Sequence, residues 1–358
     1  MSLFKDMLGA NETLFRDEVA LEYDYLPKVI PYREKEQMLL VNSIRPLLQN
    51  RNGKNVLIYG KPGIGKTAVA KNLLRDLENE SEKDVNIIYI NCWKKNTSFK
   101  IIYEMCEQLE IKFIQNKTKE ELFDLAKKQF NKSPTVFVFD EVDKLEENDI
   151  LYTVLEDIYR KTIFLITNYK SWVAELDERI KSRLTAELLE FRPYNAEETK
   201  GILRHRLQFA FVPNVWEDEA FNIAAVKAAE LEDIRAGLHL LRESGSAAEE
   251  TASKKITKEH VLAAIKKLDE FAIKNKEEMD EDLNSILELI KKEKDIKIGD
   301  LFKRYQDSGG EMSYRTFQRK IDKLDKEKLV VLKKTQGGEE GNTTIIKYSE
   351  IAKKLTDF

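Results

Sequence analysis

The sequence predicts an α/β domain with a parallel sheet and helices on both faces, then a helical domain, then a small C-terminal domain. Three observations predict this. Residues 54–191 alternate short β-branched or aromatic runs with helical patterns, and strands separated by helical crossovers read as a parallel sheet. Residues 195–271 carry almost no strand signal and are rich in Ala, Leu, Glu and Lys, the composition of a helical bundle. Residues 282–358 hold helical patterns and then two apolar runs around a Gly-rich loop, the signature of a hairpin.

The strands of the first zone are NVLIY (55–59), NIIYIN (86–91), TVFVFD (135–140) and TIFLITN (162–168). The polar stretch AIKNKEEMDED (272–282) has little to bury and reads as a linker or helical connection. The third zone opens with two helical patterns, LNSILELIKK and IGDLFKRY, followed by the break QDSGGEMS, in which Ser313 is a candidate helix N-cap. The helix YRTFQRKIDKLDKEK follows, then LVVLKK, the turn TQGGEEGN and TTIIKY. Three helices followed by a hairpin is the winged-helix pattern. The boundaries fall at 1–193, 194–275 and 276–358. No internal repeat is visible.

Of the 358 residues, 60 are Lys or Arg and 64 are Asp or Glu, for a net charge of -4. That excludes a chain basic overall, the simplest nucleic-acid signature, but not a local basic face. At 42% hydrophobic the chain has ample core material and is not a disordered one. Its two cysteines, Cys92 and Cys106, and three histidines show no zinc spacing, and reduced thiols are expected. No apolar run reaches the ~18–20 residues of a membrane span, and the N-terminus carries early acids, unlike a secretory signal. A soluble, cytoplasmic protein is the expectation, with no membrane partner.

Residues 60–67 read GKPGIGKT, a complete G-x-x-x-x-G-K-[ST] match between the strand NVLIY and the helical run AVAKNLLRDL. That strand–loop–helix setting is the one a phosphate loop needs. Gly60, Gly63 and Gly65, with Lys61, Pro62 and Ile64 between them, let backbone N–H groups wrap phosphate. The helix that continues through Ala68 adds its positive end. Lys66 neutralises β/γ charge, and the Thr67 hydroxyl binds magnesium. Further on, the apolar strand TVFVFDE delivers Asp140 and Glu141 to the carboxyl edge of the sheet. Asp140 is assigned to the metal shell and Glu141 to the general base that activates water. Asp143 reads as a surface or capping residue. Asn168, at the end of TIFLITN, lies between the two motifs and is placed to contact γ-phosphate or the attacking water. In WVAELDERIKSRL, Arg179 suits a helix-surface salt bridge with Glu175 or Glu178. Arg183 suits an arginine finger offered to a neighbouring subunit.

On these residues the sequence resembles the AAA+ ATPases, and within them the archaeal origin-recognition and cell-division-control initiator family. DYLPKVIPYREKE (24–36) looks like the family's segment ahead of the phosphate loop, which places Tyr32 near the adenine. The phosphate loop, FVFDEVDKL and ITN…LDERIKSRL follow in the family's order. FRPYNAEETKGILRHRL (191–207) resembles the entry to its helical lid, and LEDIRAGLHLLRESGSAAEE (231–250) its sensor-2 helix. The resemblance covers residue 13 to the end and rests on the ordered set plus the winged helix. It implies a P-loop parallel sheet, a helical lid and a winged-helix domain. It also implies ATP or ADP with Mg2+ as cofactors, Asn168 as sensor 1, Arg183 as arginine finger and Arg235 as sensor 2. The family's Gly-Asp-Ala-Arg is here Glu232, Asp233, Ile234 and Arg235. The lost glycine adds helix propensity before Arg235 and is expected to shift it.

Residues 312–334 hold eight bases against three acids, about +5. Phe317, Ile321 and Leu324 recur at helical spacing and form a buried face. Arg315, Gln318 and Arg319 then fall on other faces near the helix start, the part of a recognition helix that enters the major groove. Lys333 and Lys334 on the wing are assigned to phosphates, while the wing turn itself is acidic at Glu339 and Glu340. The leading expectation is an ATP-dependent replication initiator that binds double-stranded origin DNA and helps load a replicative helicase. Hydrolysis would be slow and switch-like, with a second copy or a paralogue at the ATPase interface and the protein associated with the nucleoid. Two alternatives stay open: an ATP-bound scaffold whose winged helix binds protein, and a clamp-loader-like ATPase.

Overall fold

The computed structural model describes residues 13–80, 85–291, 296–326, 330–335 and 343–348. The chain divides into two compact units, the first ending at Ile265 and the second beginning at Lys266.

In the first unit, five parallel strands form one sheet: β1 (Val56–Tyr59), β2 (Asn86–Asn91), β3 (Thr135–Asp140), β4 (Lys161–Thr167) and β5 (Glu187–Glu190), in the order β2-β3-β4-β1-β5. Helices α1 (Glu34–Ile44), α2 (Lys66–Glu80), α3 (Ser98–Gln108), α4 (Lys119–Phe130), α5 (Asp149–Asp157) and α6 (Glu178–Leu184) connect and flank them. Two apolar layers cover the sheet. Phe137, Phe139, Ile163 and Leu165 pack with α3, α4 and α5. Val136, Val138, Phe164 and Ile166 pack with α1 and α2. Such two-sided burial explains why β3 and β4 read as continuous apolar runs. The fifth strand has no counterpart among the strands expected from sequence. It is an edge strand, ELLE, in which only Leu189 is buried, so its apolar signal is too short.

The lid consists of α7 (Ala196–Ala210), α8 (Asp218–Leu231), α9 (Ile234–Glu250) and the start of α10 (Lys258–Lys291). Asn195 and Glu198 form a reciprocal capping box that starts α7 where the sequence places the lid entry. Phe211, Phe221, Leu238 and Leu241 centre the lid core, and the N-terminal segment adds Leu14 and Leu21 to it. The stretch 272–282 is helical throughout, as part of α10.

The second unit contains β6 (Ile296–Lys297), α11 (Ile298–Asp307), α12 (Tyr314–Lys326), β7 (Val330–Thr335) and β8 (Thr343–Tyr348). Its antiparallel sheet runs β6-β8-β7, a winged-helix arrangement. Phe317, Ile321 and Leu324 are buried as their spacing predicts, and Ser313 Oγ accepts the Thr316 N–H as an N-cap does.

Candidate functional site

The phosphate loop leaves the carboxyl end of β1 and enters α2 at Lys66. Gly63 turns in the left-handed region at φ 76, and a β-carbon there would run into the Asp233 carboxylate of the lid. The Ile234 N–H also donates to the Gly63 carbonyl at 3.3 Å, so loop and lid meet directly. Lys66 is only 7% exposed. Its ammonium donates to the carbonyls of Gly60 and Lys61, both at 2.7 Å, and to Asn168 Oδ1 at 2.9 Å. Burial pulls its pKa down to about 8 against the opposing pull of Asp140.

Asp140 ends β3 and is 1% exposed. Its Oδ2 accepts from Thr67 Oγ1 at 2.7 Å and from the Tyr89 hydroxyl at 2.7 Å. Its Oδ1 accepts from the Glu141 N–H at 3.0 Å. Glu141 turns sharply out of the strand at φ 54, a conformation costly for a side chain with a β-carbon and common at functional sites. Burial, with Asp140 and then Asp143 nearby, raises its carboxyl above the ordinary range. Asp143 is neither a surface nor a capping residue. Its side chain is 7% exposed, its Oδ1 accepts from Thr167 Oγ1 at 3.0 Å and its Oδ2 from Lys144 Nζ at 2.7 Å.

A cavity of about 330 Å³ opens between sheet and lid. It is lined by Pro62, Gly63, Gly65, Lys66, Thr67 and Ala68 of the loop, by Asp140, Glu141 and Asn168, and by Arg235 of the lid. The residue types fit a nucleotide with a divalent cation. An ammonium, a hydroxyl and the unpaired first N–H groups of a helix suit phosphate oxygens, and Thr67 and Asp140 offer oxygens to a hard cation.

Several predicted members lie elsewhere. Gly60 contributes its carbonyl to Lys66 from behind the loop. Ile64 is buried in the core under the loop. Lys61 pairs with Glu232 of the lid. Tyr32 is 40% exposed and does not line the cavity; its ring packs on Gly201 of α7. The wall expected of Tyr32 comes instead from its neighbours Tyr25, Leu26, Pro27 and Ile30. Arg183 is outside its own cavity, paired with Glu156 of α5 and 5.0 Å from the Tyr152 ring centroid. Arg179 pairs with Asp177, not with Glu175 or Glu178.

Arg235 reaches the cavity wall, but its guanidinium folds back on Asp233 at 3.2 Å. The missing glycine does not extend the preceding helix. Glu232 itself adopts the left-handed conformation at φ 53 and ends α8, and its carboxylate holds Lys61.

Three contributors carried no signal in the sequence. Arg33 is completely buried. Its Nη2 donates to the carbonyls of Ile64 at 3.2 Å and Arg192 at 2.6 Å, and its guanidinium lies 4.0 Å from the Tyr194 ring centroid. It braces the loop from below. Arg206 of α7 donates to the carbonyls of Ala20 and Tyr25, tying lid to N-terminal segment. Tyr89 is the third.

On α12, Arg315, Gln318 and Arg319 are all exposed. Lys320, one of the eight bases counted in residues 312–334, turns inward. It is 9% exposed and its ammonium meets Asp282 Oδ2 at 2.7 Å. Lys333 and Lys334 lie in β7 opposite Ile345 and Thr344, and their side chains fall outside the described residues. So does the wing turn with Glu339 and Glu340.

Sheet, phosphate loop, acidic pair and lid together define a AAA+ nucleotide-binding protein. Residues 49–170 match the AAA domain family, and residues 200–266 match the Cdc6 AAA+ ATPase-type lid domain. ORC1-type DNA replication protein 1 of Methanothermobacter thermautotrophicus is 30% identical over 97% of this chain and 96% of its own length. That of Sulfurisphaera tokodaii is 35% identical over 70% of this chain and 66% of its own length. Among solved structures, the Aeropyrum pernix ORC1 protein in complex with DNA superposes with a TM-score of 0.67 at 26% identity, covering 94% of each chain. The chain belongs to the ORC1-type DNA replication protein family.

Proposed function

We propose that the protein is an ATP-dependent initiator that binds double-stranded origin DNA and helps load a replicative helicase, with slow ATP hydrolysis as its switch. One observation carries the reading. Lys66, Asp140, Glu141 and Asn168 of the base and Arg235 of the lid converge on one cavity, in a chain whose α12 exposes Arg315, Gln318 and Arg319.

Lys66 exchanges its carbonyl partners for β/γ-phosphate oxygens. Thr67 and Asp140 would hold Mg2+, which neutralises phosphate charge when bound. Glu141, with its raised proton affinity, accepts the proton of a water that Asn168 helps orient. Arg235 releases Asp233 to meet the γ-phosphate, so the nucleotide state sets the lid angle. Arg183 sits outside its own cavity, as an arginine acting on a neighbouring copy or paralogue must. Arg315 and Gln318 suit guanine and adenine edges in the major groove, and Arg319, Lys333 and Lys334 suit phosphates. Association with the nucleoid follows from DNA binding.

Nucleotide binding and footprinting on duplex DNA test the reading. Lys66→Ala should abolish ATP binding, and Arg315→Ala with Arg319→Ala should weaken protection. Parent-like ATP turnover in Lys66→Ala refutes the ATPase assignment. Protection unchanged in the double arginine variant favours the scaffold reading.

A further inference from the structure

Tyr89 lines the nucleotide cavity and takes no part in these steps. In the parallel pairing of β2 with β3, Asn91 stands opposite Asp140 and Tyr89 opposite Val138. Opposed residues and residues two apart share a face of a sheet. Tyr89 therefore stands on the same face as Asp140, one strand over and two residues back. Two residues of strand rise about 6.6 Å, a span that a tyrosine side chain covers and a serine or threonine does not. The hydroxyl arrives on Asp140 Oδ2 at 2.7 Å, beside Thr67 Oγ1 on the same oxygen at 2.7 Å.

We infer that Tyr89 is a positioning residue for Asp140, holding its carboxylate in the one orientation that serves the divalent cation accompanying the nucleotide. The inference rests on the nucleotide-site reading. A carboxylate oxygen has two in-plane acceptor positions, and Thr67 and Tyr89 occupy both on Oδ2. The second oxygen, Oδ1, spends one position on the Glu141 N–H and has one to offer, and Asp140 lines the cavity. Rotating the carboxylate would break two charge-assisted bonds at once. Thr67 is thereby held with its hydroxyl proton on Asp140 and its lone pairs available to a cation. The Tyr89 ring is fixed in turn by its place in the cavity wall and by Lys71, whose ammonium lies 4.9 Å from the ring centroid.

Tyr89→Phe removes the hydroxyl and keeps the ring and its packing with Lys71. The measurement is the affinity of the full chain for N-methylanthraniloyl-ATP, with excess Mg2+ and with EDTA, taken as a ratio. Partners that orient a metal-binding group are worth about 10- to 100-fold in metal affinity. Tyr89→Phe should leave the EDTA affinity within about twofold of the parent and cut the Mg2+ enhancement about tenfold. In an Asp140→Ala background the same change should have no further effect, because no carboxylate is left to position. An unchanged Mg2+ enhancement in Tyr89→Phe overturns the inference and leaves the nucleotide site standing. A loss that persists in the Asp140→Ala background also overturns it, since Tyr89 would then act through packing alone. A parent protein that binds no nucleotide in either condition overturns the site and the inference together.

Discussion

Gly63→Ala should separate the lid from the phosphate loop. At φ 76 any residue with a β-carbon is held in the left-handed region, at about 1–2 kcal/mol. The new methyl also overlaps the Asp233 carboxylate. To clear it, Asp233 must rotate and give up the Arg235 N–H that it caps at 2.8 Å, worth about 1 kcal/mol. Closure of the lid then weakens by about 2–3 kcal/mol, roughly 30- to 150-fold in nucleotide affinity. Fluorescence titration with labelled ATP reads this directly. Gly63→Ala combined with Asp233→Ser should recover about fivefold, because serine keeps a capping oxygen and clears the overlap. A single variant that binds within about twofold of the parent, well under the 30-fold floor of this reasoning, would show that the lid does not close on this loop.

Three further outcomes are expected. Glu141→Gln should keep ATP binding and lose about 10²–10⁴-fold in hydrolysis rate; parent-like single-turnover hydrolysis would remove Glu141 from the role of base. Glu198, which Arg192 holds at about 2 against an ordinary 4.5, contributes stability that is present above pH 4.5 and is lost as pH falls toward 2. Acid unfolding followed by circular dichroism should flatten over that window in Glu198→Gln. On duplex DNA, Arg319→Ala should reduce the salt slope of binding by about one, and Arg315→Ala should cost about 1–3 kcal/mol and relax specificity at one base pair. Lys320→Met should leave the slope unchanged and alter only the stability of the C-terminal unit, because Lys320 is committed to Asp282.

Much of this site was legible because its motifs are local. GKPGIGKT is a contiguous turn between a strand and a helix, and Asp140 and Glu141 end a strand whose burial shows as an unbroken apolar run. Other parts had no local mark. Arg33 reaches Arg192 across 159 positions, and Tyr89 reaches Asp140 across 51; no spacing rule connects such pairs. Tyr32 departs from its expected place for a related reason. Its segment does line the cavity, but its own backbone turns at φ 64 and sends the ring to Gly201. Lys320, three residues after Phe317, borders the buried face. Whether it faced solvent or core depended on Asp282, which lies 38 positions away.

Chain order was enough to establish the succession of the first four strands, the phosphate loop, the acidic pair and the amphipathic face of α12. Each is encoded by neighbours in the chain, through backbone freedom at glycine and the two periodicities of strand and helix. Which charges face the cavity and which are consumed inside the fold was settled by packing. Lys61 turned to Glu232 and Lys320 to Asp282 because a charge near a protein surface settles on the partner that the fold brings within a few ångströms, and chain order does not reveal that partner.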